Sequence, residues 1–120
     1  MTTPEDLAAD VESLWADGAS PARCRTVASR AYNAAYHRCL AAAAAAGYGR
    51  QPGGGGTHQQ LIAYLTAPGQ RRYNGAGRRL QEMYGLRIDA DYDLNAPMDG
   101  TVVQESLEAM TEIIDALRPG

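Results

Sequence analysis

Arg30, Asn33 and His37 are the residues of this chain whose types and spacing could do chemistry: a cation, a carboxamide and a titratable imidazole inside the otherwise apolar run Ser29-Arg30-Ala31-Tyr32-Asn33-Ala34-Ala35-Tyr36-His37. On a helix, the seven-residue step from Arg30 to His37 is about two turns, so both project from one face, roughly 10 Å apart along the axis. Asn33 lies between them, and Arg23 and Thr26 extend the stripe toward the N-terminus. An imidazole, with a reference pKa of about 6.5, can take or give a proton near neutrality. A guanidinium can neutralise charge building on a phosphate under attack. Metal-free RNA cleavage asks for that pair: His37 to take the 2′-hydroxyl proton and Arg30 to stabilise the phosphorane-like transition state, leaving a 2′,3′-cyclic phosphate and a 5′-hydroxyl.

The elements that must position these residues read as helices. Cys24, Ala28, Tyr32, Ala35 and Cys39 fall on the face opposite the polar stripe, as a core-facing row of small and aromatic side chains would. Ser20-Pro21 supplies a cap followed by proline, and the six alanines 41 to 46 carry this long central helix to Gly47. Thr3-Pro4-Glu5-Asp6 starts an earlier helix in the same way, with Leu7, Val11, Leu14 and Trp15 as its apolar stripe and Gly18 as its stop. Thr57 is placed to cap a short helix through Leu61, Ile62 and Leu65, closed by Pro68-Gly69. His58 lies in that first turn, where the dipole disfavours protonation, and reads as a neutral structural histidine. Arg71 to Tyr84 form a further helix that Gly85 ends or interrupts, with Gly75 and Gly77 weakening its start. If the chain beyond is helical, Arg87 and Asp91 can pair at i, i+4. Val103, Leu107, Met110, Ile114 and Leu117 mark one face of a last helix whose wet side carries Glu105, Glu108 and Glu112. The expectation is an all-α bundle of four or five helices, one domain over residues 1–120, around a long central helix and with a flexible glycine-rich loop at 47–57.

Composition narrows the function classes. No run approaches the roughly 18 apolar residues of a membrane span, and the N-terminus lacks a basic region followed by an apolar one, so a cytoplasmic, membrane-free protein is expected. Cys24 and Cys39 lie too far apart on one helix to bridge and read as reduced, buried thiols. No His/Cys cluster has zinc-ligand spacing, the glycine-rich loop lacks the Gly-Lys-Ser/Thr ending of a phosphate loop, and no metal or cofactor is expected. The net charge of −3 conceals a basic middle: residues 18–81 hold nine arginines and no acid, and the chain has no lysine. The arginines are either a solvated surface paired with the acidic termini or a confined anion-binding face, for which Arg23, Arg25, Arg71, Arg72, Arg78 and Arg79 are the candidates.

The chain also resembles a known family. Ser29 to His37 is similar to the Ser-Arg-Ala-Tyr-Tyr-Ala-Ala-Phe-His stretch of one branch of the HEPN domains, small helical proteins of prokaryotic defence and toxin–antitoxin systems. Thr57-His58-Gln59-Gln60-Leu61 with Leu65 looks like that branch's His-containing second helix, and Leu86-Arg87-Ile88-Asp89-Ala90-Asp91-Tyr92-Asp93 looks like its Leu-Arg then Ala-Asp-Tyr-Asp segment. The likeness spans roughly residues 20 to 117. It implies a HEPN-like bundle, homodimerisation, and a metal-independent endoribonuclease acting on single-stranded RNA as a toxin or defence effector, with an arginine, four to six residues and a histidine as the motif. Arg30 and His37, with six residues between, fit it, and Asn33 substitutes for the polar residue often found after the arginine, where this chain has Ala31. In many members the motif lies on a later helix. That stretch here is Arg87 to Tyr92, with tyrosine where the histidine would stand and Asp91 as a further accessory residue. Either the site has moved to Arg30 and His37, or the chain is a non-catalytic module that binds RNA, a nucleotide or a partner such as a minimal nucleotidyltransferase antitoxin.

Overall fold

Two Ser/Thr-Pro starts set the first two helices of the computed structural model, which describes residues 1–120 apart from Asp17, Ala19, Pro52, Gly54 and Gly120. In α1, Pro4–Ala16, the Thr3 hydroxyl accepts from Asp6 N at 3.1 Å while Asp6 returns a carboxylate to Thr3 N at 2.9 Å. This reciprocal box satisfies donors that the first helical turn leaves open. In α2, Pro21–Ala45, the Ser20 side chain accepts from Arg23 N. The helix ends where Gly47 takes a φ of +100° and Tyr48 N donates back to the Ala43 carbonyl at 2.9 Å. A left-handed backbone at that point favours glycine.

Three helices follow: α3, Thr57–Thr66; α4, Arg71–Tyr92; and α5, Gly100–Ala116, capped by the Asp99 carboxylate at Thr101 N and Val102 N. The architecture is all-α, with no strand among the described residues. The long helix α2 lies at its centre and packs against α1, α3, α4 and α5, while α3 rests mainly on α4. Its apolar face is the predicted one: Cys24, Ala28, Tyr32, Ala35 and Cys39 are all buried, as are Val103, Leu107, Met110 and Ile114 on α5 and Leu117 at its C-cap. Leu61, Leu65, Leu80 and Met83 complete the core from α3 and α4. Each such burial contributes about 1.5–3 kcal/mol, which offsets the ordering of a small chain. No helix among the described residues is long and apolar enough to cross a membrane.

Three local expectations are corrected. Thr57 does not cap α3: it is the first helical residue, and Gly56 holds the cap position without a side-chain bond. Helix α4 does not end at Gly85 but runs seven residues further, because Met83 and Ala90 on either side of the glycine are both buried and their packing outweighs the roughly 1 kcal/mol propensity loss. Gly77, read as a weak point, is a close approach instead. A Cβ there would stand 2.8 Å from Leu65 Cβ and 2.8 Å from Thr66 Cγ2, so the missing side chain is what lets α4 lie against α3. Asn74 reinforces the crossing by donating to the Leu65 carbonyl at 2.7 Å. Within residues 47–57, where Pro52 and Gly54 lie outside the described residues, Gln60 ties the chain to α3 through Gln51 N, Gln51 O and Gly55 O.

Candidate functional site

The site grows from two tyrosines one turn apart on α2. Tyr32 and Tyr36 stack at 6.1 Å between ring centroids, and Tyr32 is only 2% exposed. A tyrosine that deep needs a partner for its hydroxyl. The partner is His58 of α3, whose Nδ1 lies 2.7 Å from the Tyr32 oxygen. The His58 ring is held between Tyr36, at 4.5 Å, and Tyr84 of α4, at 5.3 Å with the planes 23° apart. Three helices thus contribute to one aromatic box around a single imidazole.

Because α4 continues past Gly85, it brings Arg87 to the same place. The half-buried Arg87 guanidinium donates from Nε to Asp91 at 2.9 Å, lies 5.6 Å from the Tyr92 ring centroid, and shares Asp91 with Ser29, whose hydroxyl donates at 3.2 Å. The end of α4 is fixed from α2 by Arg25. Its guanidinium donates to five carbonyls, those of Asp89, Ala90, Asp93, Leu94 and Ala96, at 2.8–3.2 Å. A cation on the last carbonyls of a helix satisfies acceptors that have no helical donor and opposes the dipole.

Ser29, Arg30, Tyr32, Asn33, Tyr36, His58 and Arg87 line one open cleft of about 460 Å³. Arg30 is exposed in it and pairs with no carboxylate among the described residues. Burial, the nearby Arg87 charge and His37 together hold the His58 pKa below the ordinary histidine value, so the ring is neutral near pH 7. Burial likewise pushes the Tyr32 and Tyr36 hydroxyls up, keeping both protonated. The Tyr32–His58 bond survives in either imidazole tautomer, because the hydroxyl can donate to Nδ1 or accept from it. With Nδ1 protonated, Nε2 carries the lone pair that a base needs.

The expected site residues fall into distinct places. Arg30 and Asn33 share the cleft; His37 is exposed on α2, does not line it, and meets Tyr36 edge-on at 5.3 Å. Arg87 and Asp91 pair at i, i+4 as their spacing predicts, and Tyr92 is exposed beside them. Among the arginines expected to steer RNA, Arg25 is occupied by carbonyls and Arg23 donates to the Leu14 carbonyl at 3.1 Å. Arg79 is held by Glu112 through Nε at 2.8 Å and Nη2 at 3.0 Å. Arg72, Arg78 and Arg79 line a separate groove between α4 and α5, and Arg71, exposed at the start of α4, is absent from the cleft lining. Sequence reasoning read His58 as a neutral structural histidine and Tyr32 as core-facing, and did not bring them or Tyr36 and Tyr84 into the site. The signal was present, since Tyr32 and Tyr36 are spaced i, i+4 and His58 opens a helix, but no local pattern shows which ring faces which. Both cysteines are buried thiols outside any disulfide, with the Cys39 thiol pushed by burial up to about 12. Among the described residues no three His, Cys, Asp or Glu side chains group as metal ligands would.

No family model matches the chain, and no characterised protein or solved structure is significantly similar to it. The described residues define a bundle of five helices with an arginine- and imidazole-lined cleft at the junction of α2, α3 and α4.

Proposed function

We propose that this chain is a metal-independent endoribonuclease of HEPN type, acting on single-stranded RNA in the cleft of Arg30, Asn33, His58 and Arg87. One observation carries the reading: the three segments that resemble the family, beginning at Ser29, Thr57 and Leu86, are far apart in sequence and converge on that cleft. His58 Nε2 takes the 2′-hydroxyl proton while Nδ1–H donates to the Tyr32 oxygen, so the ring is aimed throughout. The 2′-oxygen attacks phosphorus, Arg30 neutralises the charge that develops, and the 5′-oxygen departs and takes a proton from water, whose hydroxide recovers the proton held on His58. The products are a 2′,3′-cyclic phosphate and a 5′-hydroxyl. His37, outside the cleft lining but close enough to depress His58, belongs to its rim. We place the protein in a homodimer that extends the cleft, with a toxin or defence role.

A second reading is favoured by the commitment of Arg87 to Asp91: a non-catalytic module that binds RNA, a nucleotide or a nucleotidyltransferase-type partner. Cleavage of single-stranded RNA in excess chelator separates the two. Wild type should cut, and Arg30→Ala and His58→Ala should each lose about 10²-fold or more while remaining folded. His37→Ala should lose far less. No cleavage by wild type freed of any bound partner would leave the binding module standing.

A further inference from the structure

On the side of α2 that bears its alanines, Arg38 is a guanidinium whose surroundings do not use it up. Its side chain is 7% exposed, Nη1 donates to Glu5 at 2.7 Å, and Nε is enclosed with no hydrogen-bond partner among the described residues. Desolvating an arginine donor without an acceptor is costly, and few are left so. Arg38 forms one wall of a groove of about 410 Å³ whose other cations are Arg72 and Arg118 and whose apolar floor includes Ala41, Ala45 and Leu117. The volume lies within the range of small-molecule sites.

The charges in this groove are partly cancelled. Glu5 neutralises Arg38, and its own carboxyl is held below the ordinary range chiefly by that hydrogen bond. Asp115 accepts from Arg118 at 3.0 Å. Arg72 has no carboxylate within reach among the described residues; its guanidinium carbon lies 5.5 Å from the neighbouring Tyr73 ring centroid. Among the described residues one positive charge therefore remains uncompensated, beside an orphaned N–H and a methyl-lined floor. A dianionic phosphate would exceed that balance and gain nothing from the alanines. A monoanion with an aliphatic attachment matches all three features.

We infer that Arg38, Arg72 and Arg118 form a binding site for a small amphipathic monocarboxylate, whose carboxylate oxygens engage the guanidiniums while its aliphatic part lies on the alanine face of α2. The site shares no residue with the cleft of Arg30 and His58, and its test does not depend on RNA cleavage.

The test follows the arginine Nε–H signals by nuclear magnetic resonance while hexanoate, its neutral analogue hexanamide or inorganic phosphate is titrated into the full chain. Hexanoate should shift the Arg38 and Arg72 signals saturably at millimolar concentration, and hexanamide should leave them in place. Arg38→Ala can fail to fold, since it strands Glu5. Two surface variants therefore carry the argument. Arg72→Gln removes one charge-assisted bond and Ala45→Glu places a repelling carboxylate on the floor; each should weaken hexanoate about tenfold or more. Unmoved Arg38 and Arg72 signals, tighter binding of phosphate than of hexanoate, or affinity indifferent to both variants would overturn the site.

Discussion

Tyr32 of α2 and His58 of α3 share a 2.7 Å hydrogen bond that closes the wall of the cleft, and the tyrosine's depth makes it an interaction without a water substitute. Removing the hydroxyl leaves Nδ1 with no partner in a setting that already disfavours the imidazolium. Tyr32→Phe should therefore cost about 1 kcal/mol, a fall in melting temperature of roughly 4 °C. It should also lower the proposed RNA cleavage by loosening the ring. Unchanged stability would mean that the hydroxyl is not the partner of His58.

The depressed His58 pKa makes stability depend on pH in a stated direction. The unfolded chain takes up a proton at this residue near the ordinary value of about 6.5, and the folded chain only at lower pH. Between those values the unfolded state holds more protons, so this contribution is complete above about 6.5 and is lost as pH falls through the window. His58→Gln should flatten the decline of melting temperature between about pH 7 and about pH 5 relative to wild type. Parallel curves would show that the histidine titrates alike in both states.

Two glycines of the same helix should answer alanine with opposite signs. At Gly85 a Cβ meets nothing within 4 Å, so Gly85→Ala should stabilise by about 0.5–1 kcal/mol through helix propensity. At Gly77 the same Cβ would stand 2.8 Å from two α3 side-chain atoms, and overpacking of about 1–3 kcal/mol outweighs that gain. Chemical denaturation of the two variants checks the sign. A Gly77→Ala protein as stable as wild type would place α3 further from α4.

Arg25 should matter for architecture, and for the proposed RNA binding only through it. Its five carbonyl acceptors are lost in Arg25→Ala, which should cost at least about 2 kcal/mol and reduce amide protection at residues 93–96. Arg25→Lys should not restore it, because a point ammonium cannot span the same set of acceptors. A loss of RNA affinity with no loss of stability would instead put this side chain on the nucleic-acid surface.

Much of the fold was legible because local physics specified it. Thr3 and Ser20 cap, Pro4 and Pro21 open helices, Gly47 closes one, and the periodic rows on α2 and α5 name their buried faces without reference to anything distant. The i, i+4 pairing of Arg87 with Asp91 was equally local once the segment was helical. What sequence could not supply was any relation between helices. Whether Gly85 stopped α4 depended on the burial of Met83 and Ala90, and whether Gly77 was a weakness or a contact depended on where Leu65 and Thr66 lay.

The same division runs through the candidate site. Arg30 and Asn33 were legible as a polar stripe, since both belong to one face of one helix. Spacing along that helix also selected His37, whereas the packing of α3 against α4 set His58 beside Tyr32, Tyr36 and Tyr84, and so in the cleft. Arg25 looked like any basic surface residue until the end of α4 arrived over it. Composition and periodicity determined which faces are wet and which are dry. Only tertiary packing decided which wet residues meet, because a helix fixes neighbours a turn apart and leaves its partners across the bundle to the shapes of the faces that bury together.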